Sequence, residues 1–420
     1  MKKQSITHPP KEIQQKVIEN KRPFSIWAIV GFGFVLRLLI DTSGQLFYPF
    51  VPVFAAGLGV SAVVVGRLIS IQSLIGLVSP IFGNLADKYG YRPFMRLGLA
   101  AVGIGMIVFA SGSSFAFAVI GAMILGFGFS LFTPNLLAYL SANLPAERRS
   151  RGMGAVELSW GLAGIIGVTP LGFAIARWGW RSPLIGLGVV LIAASFLPIL
   201  FPKTKQLRPE ATTAVSKPNI SRWAQLKRFL DLGENRGAAW AAIMGTGFVS
   251  FASSHLLSSY GQWLFVEYGL GSDGLGRIAG IIGLGGFTAI LLISTFGDRI
   301  GSLLGSKIGA FGAIFAFLLL PLINLNLTWL VVGLFILYFF YQFTIVNAII
   351  LTSVQIPSQR GKMMTLGWAL DTIMISLANI TGPTAFATFG PWGLAIPSGI
   401  TMLILWLILL KLGGPGGEEA

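Results

Sequence analysis

Runs of about twenty apolar residues, the length that crosses a bilayer as a helix, recur from one end of this chain to the other. That repetition limits the fold more than any motif does. Away from water a backbone must satisfy its own N–H and C=O groups, which leaves the helix as the spanning element for runs of this length. Twelve spans are expected, at roughly 25–56, 61–84, 93–112, 115–142, 150–177, 182–202, 237–267, 273–297, 302–321, 328–356, 362–389 and 392–412. Charged residues make up only 11% of the 420, against about 25% in a soluble domain, so a soluble enzyme with a single anchor is excluded. The expected fold class is an all-α membrane protein of twelve transmembrane helices.

The net charge of +15 raises the question of a nucleic-acid partner. The bases instead sit in alternate connections. Lys2, Lys3, Lys11, Lys16, Lys21 and Arg22 lie in the N-terminal tail, Lys88, Arg92 and Arg96 after the second span, and Arg148, Arg149 and Arg151 after the fourth. Eight more, from Lys203 to Arg236, lie in a polar stretch at 203–236. Such alternation is the positive-inside pattern. It places both termini in the cytoplasm of a multi-pass protein of the cell (inner) membrane, and no nucleic acid is expected. The first 24 residues are polar and basic, without the pattern of a cleavable signal. Cysteine is absent, and the two histidines, His8 and His255, show no metal-ligand spacing. No cofactor, no metal and no enzymatic nucleophile–base set is expected.

The two halves read as copies. At an offset of about 212, "YPFVPVFAAGLG" (48–59) lies over "YGQWLFVEYGLG" (260–271), and "PNLLAYLSANLP" (134–145) over "VNAIILTSVQIP" (346–357), with Asn135 over Asn347. "DKYG" (87–90) likewise echoes "DRIG" (298–301). This divides the chain into a cytoplasmic tail (1–24), a six-helix bundle (25–202), a cytoplasmic linker (203–236), a second six-helix bundle (237–412) and a C-terminal tail (413–420). In the linker, "SRWAQLKRFL" (221–230) reads as either a helix lying in the membrane interface or a solvated connector. Internal repeats of this kind characterise transporters whose substrate site lies between the repeats near the bilayer midplane.

"GNLADKYGYRP" (83–93) resembles the signature of the major facilitator superfamily between its second and third helices, with Gly83, Asp87, Lys88, Gly90, Arg92 and Pro93 in place. The resemblance implies a gating role for Gly83, Asp87, Gly90 and Arg92, and for Asp298 and Arg299 in the repeat. "YPFVP" (48–52) and the glycine-rich "MGAVELSWGLAGIIGVTPLG" (153–172) are similar to motifs of the twelve-helix drug/proton antiporter branch. Gly154, Gly161, Gly167 and Gly172 match. Val168 stands where the motif has proline, Glu157 where it has a small residue, and Ala122 where the branch carries an arginine in its fourth helix.

Ions within the spans are the functional candidates, because a charge in hydrocarbon is costly and faces a cavity or a partner. Arg37 and Asp41 share a helix face near the middle of the first span. They read either as a proton-exchanging pair, with Arg37 replacing the missing fourth-helix cation, or as a static pair orienting the helix. Glu157 with Trp160 and Asp371 with Trp368 are acid–indole pairs three residues apart, in equivalent turns with their order swapped. An acid beside an indole can hold a proton or a cationic aromatic ligand. Glu157 also reads as part of a cytoplasmic lock. Candidate proton-coupling residues are therefore Asp41, Arg37, Glu157 and Asp371. Candidate substrate contacts are Arg37, Asp41, Asn135, Trp160, His255, Gln262, Asn347, Trp368 and Asp371.

The expected function is secondary active transport of a small organic, amphiphilic solute by alternating access, as proton-coupled efflux. Uptake or facilitated passage of an organic, anionic metabolite held by Arg37 is the alternative, and a non-transporting sensor or lipid-handling protein a third. The expected partners are the solute, protons and the lipid bilayer, with the chain acting as a monomer.

Overall fold

The computed structural model describes residues 25–112, 114–202, 230–233, 236–356 and 359–412. Every regular element among them is a helix. The expected interfacial helix at 221–230 lies outside the described residues save Leu230.

Proline sets where the first spans break. The first span becomes α1 (Ile26–Gln45) and α2 (Val51–Leu58), separated by a turn around Pro49. Ser25 caps α1, its hydroxyl accepting from the Ala28 N–H at 3.2 Å. The second span is α3 (Ala62–Leu74), a 3-10 turn at Ile75–Val78, and α4 (Ser79–Tyr89). A prolyl ring clashes with the carbonyl four residues earlier, so Pro80 loosens the helix at that turn. The fifth span shows the same logic. After α5 (Tyr91–Ser111) and α6 (Phe115–Asn143) come α7 (Ala146–Leu162), a π-helical turn at Ala163–Val168, and α8 (Thr169–Trp178). Pro170 would strike the carbonyl of Ile166, and the widened turn removes the clash. α9 (Arg181–Ala194) ends in a 3-10 turn at Leu197–Ile199. The remaining helices run unbroken: α10 (Arg236–Tyr268), α11 (Ser272–Ile300), α12 (Ser302–Leu319), α13 (Leu327–Gln355), α14 (Arg360–Phe389) and α15 (Pro391–Leu410).

Ten of the twelve expected spans are helices long and apolar enough to cross a membrane, and an eleventh is counted if Val51–Leu58 and Ala62–Val78, bent by 107°, form one span. The two expected spans outside the ten are 61–84, interrupted by its 3-10 turn, and 237–267. The latter is one 33-residue helix, α10, whose middle carries Ser250, Ser253, Ser254, His255, Ser258 and Ser259. At 1.5 Å per residue it measures about 50 Å, so its polarity and not its length sets it apart.

The repeat is visible in backbone geometry. Helix-ending glycines with positive φ occur in pairs: Gly59 (65°) with Gly269 (62°), Gly90 (89°) with Gly301 (76°), and Gly179 (73°) with Gly390 (59°). Their offsets are 210 and 211, so the register expected for 48–59 over 260–271 is corrected by two residues.

Loops alternate between two faces. The basic face holds the turns at 90 and 301, and the far face those at 59, 179, 269 and 390. Between the halves, contact concentrates toward the far face, where glycines let backbones touch. A Cβ on Gly66 of α3 would lie 2.5 Å from the Asn379 carbonyl oxygen of α14, one on Gly172 of α8 2.8 Å from the Gly276 Cα of α11, and one on Gly261 of α10 2.2 Å from the Pro49 carbonyl oxygen. The halves are thus closed at the far face. Gly66→Val is expected to favour the opposite state, because overpacking a tight contact costs about 1–3 kcal/mol, roughly a ten- to hundred-fold shift. The chain has no thiol of its own. A Thr133→Cys reporter on the basic side should therefore react several-fold more slowly with a water-soluble thiol reagent when Gly66→Val is added, and an unchanged rate would refute the closure.

Candidate functional site

Toward the basic face the halves part around a cavity of about 190 Å³, lined by α3, α4 and α6 on one side and α14 on the other. On α14 the lining residues are Trp368, Asp371, Thr372 and Ile375, and on α6 Gly126, Phe129, Ser130, Thr133 and Pro134. Both sets repeat at three and four residues, the spacing of one helix face. Asp371 is the one ionisable side chain among the lining residues. Its carboxylate accepts a hydrogen bond from the Ser250 hydroxyl of α10. Trp368, a turn earlier, is 50% exposed. The wall therefore offers a carboxyl group beside an open indole face, with hydroxyls opposite.

A second cluster joins α1 and α7. Arg37 Nε donates to Asp41 Oδ1 at 2.8 Å, and the Ser159 hydroxyl donates to Asp41 Oδ2 at 2.6 Å. Glu157 Oε2 lies 3.8 Å from Arg37 Nη2. The Arg37 and Asp41 side chains are 8% and 3% exposed, while Glu157 is 45% exposed. Among the described residues, buried Arg37 Nη1 has no hydrogen-bond partner. Neither Arg37 nor Asp41 lines the cavity.

Trp160 belongs to neither cluster. Gln45 donates to its carbonyl at 2.7 Å, and its indole N–H donates to the Tyr338 hydroxyl of α13 at 3.2 Å, tying the halves together. Around it Gln45, Tyr48, Tyr260 and Tyr338 help line a void of about 20 Å³, room for about one water molecule. This aromatic layer lies between the cavity and the far face.

The structure thus brings Trp368 to Asp371, and Arg37 to Asp41 with Glu157 beside them, but it does not place the two acid–indole pairs on one wall. Asn135 and Asn347 do not line the cavity. Both are 2% exposed, and each donates to the carbonyl four residues earlier in its own helix, at 2.6 and 2.8 Å. A helical amide in an apolar bundle finds its nearest acceptor there. His255 is also away from the cavity, 1% exposed and stacked on Phe251. Gln262 is half-buried and lines neither space. Among the gating candidates, the side chains of Gly83, Asp87 and Asp298 lie outside the described residues. Gly90 ends α4, Arg299 is exposed, and Arg92 donates through Nε to the Pro198 carbonyl at 3.0 Å and also to that of Ile199. Arg92 therefore caps the end of the sixth span.

Ser250, Ser159 and Tyr338 were not singled out from sequence. Serines and tyrosines within apolar runs look like filler until the helix that they face is known. Ser130 and Thr133 could have been found, since with Gly126 and Phe129 they form a small, polar-edged face.

The cavity thus lies between the two helical repeats, with one acid, Asp371, on its wall. Residues 33–383 match the Major Facilitator Superfamily. The chain belongs to that superfamily. It is a multi-pass membrane protein. As a superfamily member it is similar to the multi-drug resistance efflux pump PmrA of Streptococcus pneumoniae, at 32% identity over 184 residues, 42% of this chain and 44% of the pump. The matched stretch thus spans less than half of that relative. A Bacillus subtilis protein, the uncharacterized MFS-type transporter YceJ, is 24% identical over 70% of both chains. Among solved structures, the D-xylose–proton symporter superposes with a TM-score of 0.75 at 18% identity, covering 93% of this chain and 98% of the symporter. The human organic anion transporter MFSD10 gives 0.64 at 19% identity, covering 91% and 98%. At these identities the structures share the superfamily fold.

Proposed function

We propose that the protein exports an amphiphilic organic cation in exchange for protons. The observation that carries this is Asp371: an acid on the cavity wall, held by a single hydroxyl and flanked by an exposed indole. A carboxylate in that position binds either a proton or a cation, and competition between the two couples their movements. The likeness of nearly half the chain to a multidrug efflux pump supports the export direction. The halves 25–202 and 237–412 are the moving bodies. The basic face is cytoplasmic, with both termini on that side of the inner membrane. The far-face contacts and the basic-side cavity then make this the inward-facing state. Our reading moves the proton-exchanging role from Asp41 to Asp371, because Asp41 is enclosed by Arg37 and Ser159 away from the cavity.

The test is flux of ethidium in proteoliposomes with an imposed pH gradient. Uphill movement should run against the proton gradient and reverse when the gradient is reversed. Flux that ignores the gradient would leave facilitated passage in its place. A second reading, an organic anion held by Arg37, draws on the unpartnered Nη1. Replacing ethidium by fluorescein in the same assay separates the two.

A further inference from the structure

Pro134 of α6 and Pro383 of α14 both lie inside their helices. A proline has no N–H, so each leaves the carbonyl four residues earlier without its helical donor. The two freed carbonyls meet different surroundings. Pro383 frees Asn379, and protein covers that oxygen: a Cβ on Gly66 of α3 would lie 2.5 Å from it. Pro134 frees Ser130, and Ser130 and Pro134 both line the cavity of about 190 Å³. The open rung therefore lies on the lining face of α6. A helical carbonyl points toward the C-terminus of its helix, and α6 ends at the basic face. The Ser130 carbonyl is thus aimed along the cavity wall toward the side where the halves part.

No neighbour takes the place of the missing donor. The Ser130 hydroxyl donates to the Phe127 carbonyl at 2.7 Å, and the Asn135 amide, just beyond the proline, to the Leu131 carbonyl at 2.6 Å. Among the described residues no side chain is bonded to the Ser130 carbonyl. Ser130 is 4% exposed, and a buried carbonyl left unpaired is costly, so its partner must come from the cavity. Gln72 adds a second amide oxygen to this wall. A Cβ on Gly126, one turn before Ser130, would lie 2.2 Å from the Gln72 backbone oxygen, so α3 and α6 touch there and hold Gln72 on the same lining. The opposite wall, on α14, carries the Asp371 carboxyl group.

The cavity therefore presents hydrogen-bond acceptors from both sides. An ammonium ion with two or more N–H protons can donate to Asp371 and to the Ser130 carbonyl at once. A tertiary ammonium has one proton and satisfies one wall, and a quaternary ion satisfies neither. We infer that the Ser130 carbonyl, released by Pro134, is a specificity contact, and that it selects protonated primary and secondary amines with an apolar body. The body lies against Phe129, Trp368 and Ile375 of the same lining. The inference rests on the proposed function for the choice of a cation and adds which cation.

The test compares N-methyl-4-phenylbutylamine with its N,N-dimethyl counterpart. Both are cations near neutral pH, and they differ by one methyl group and one N–H. Each is titrated calorimetrically into the full-length protein in detergent. The wild type should bind the secondary amine about ten-fold or more tightly than the tertiary one, the range for a hydrogen bond to a charged group. Pro134→Ala supplies the missing N–H from within α6 and withdraws the carbonyl from the cavity. Alanine is the better residue in a helix interior, so the variant should fold. Its affinity for the secondary amine should fall to about that for the tertiary amine, which itself should not change. A preference set by the size of the head group would persist in Pro134→Ala, and that result overturns the inference. Equal binding of the two amines by the wild type overturns it without recourse to the variant, and so does an equal loss of both in Pro134→Ala, which would mark the proline as shaping the cavity. Binding of neither amine would remove the cation reading as well. Calorimetry needs no gradient, so ethidium flux indifferent to pH would remove proton-driven export and leave the amine preference standing.

Discussion

Asp371→Asn is expected to reduce proton-driven accumulation of ethidium to the level of protein-free liposomes while leaving the protein folded. The substitution keeps size and hydrogen-bonding capacity, so the Ser250 hydroxyl retains an acceptor. What disappears is the exchangeable proton and the negative charge. Loss of one charge-assisted contact weakens cation binding by about 1.5–3 kcal/mol, roughly ten- to hundred-fold. The two effects separate in the assay. Raising the solute concentration should restore exchange between equal pools, which needs no net proton movement, but it should not restore uphill transport. Full uphill transport by Asp371→Asn would place the coupling at Asp41 or Glu157. Trp368→Ala should weaken binding without altering the pH dependence, because the indole supplies a surface and no proton.

Arg37→Ala should have the largest effect on stability. It leaves Asp41, 3% exposed, with the Ser159 hydroxyl as its one remaining partner. Breaking a buried ion pair from one side costs about 3–5 kcal/mol, because the remaining charge stays buried and uncompensated. The expected result is a large loss of folded protein from the membrane. Removing both charges is a different matter. A buried pair replaced by apolar groups of similar volume is often neutral or stabilising, so Arg37→Met combined with Asp41→Leu should recover most of the protein. If the double variant also transports ethidium against its gradient, the pair is an orienting device within the first half. If it folds but only equilibrates the solute, the pair takes part in coupling. Thermal melts of detergent-purified protein, with membrane yields, measure the first effect, and proteoliposome flux the second.

Much of this arrangement was legible in the sequence because it depends on short-range periodicity. The spans are runs of apolar residues, and Arg37–Asp41 and Trp368–Asp371 are placed by spacings of four and three within one helix. The breaks at 75–78 and 163–168 were legible in principle, since Pro80 and Pro170 announce them through a clash four residues back. What could not be read is what long-range packing decides. Nothing local says that Ser250 faces Asp371, 121 residues away, or that Ser159 rather than solvent completes the shell of Asp41, 118 residues away. The asparagines read as substrate contacts because a symmetric pair of amides at matching depth suggests a shared ligand, whereas the N–H of each amide bonds to a carbonyl of its own helix. α10 matches its expected span, 237–267, in place and length, and what stays hidden is where the density of hydroxyls in its middle finds partners.

That density bears on how the protein is made. A segment entering the translocon moves sideways into lipid to the extent that its own residues prefer it, and α10 offers five serines and a histidine between 250 and 259. Part of this polarity is met within α10, where the hydroxyls of Ser253 and Ser258 donate to the Ser250 and His255 carbonyls, and helices later in the chain add further bonds. Thr352 of α13 donates to the Ala242 carbonyl at 3.1 Å, Asp371 of α14 receives Ser250, and Ser398 of α15 donates to the Ala252 carbonyl at 3.0 Å. The helix that opens the second half is therefore stabilised in the bilayer by the three that close it. The expected consequence for assembly is that this first segment settles in lipid only once the last helices of its half have been made.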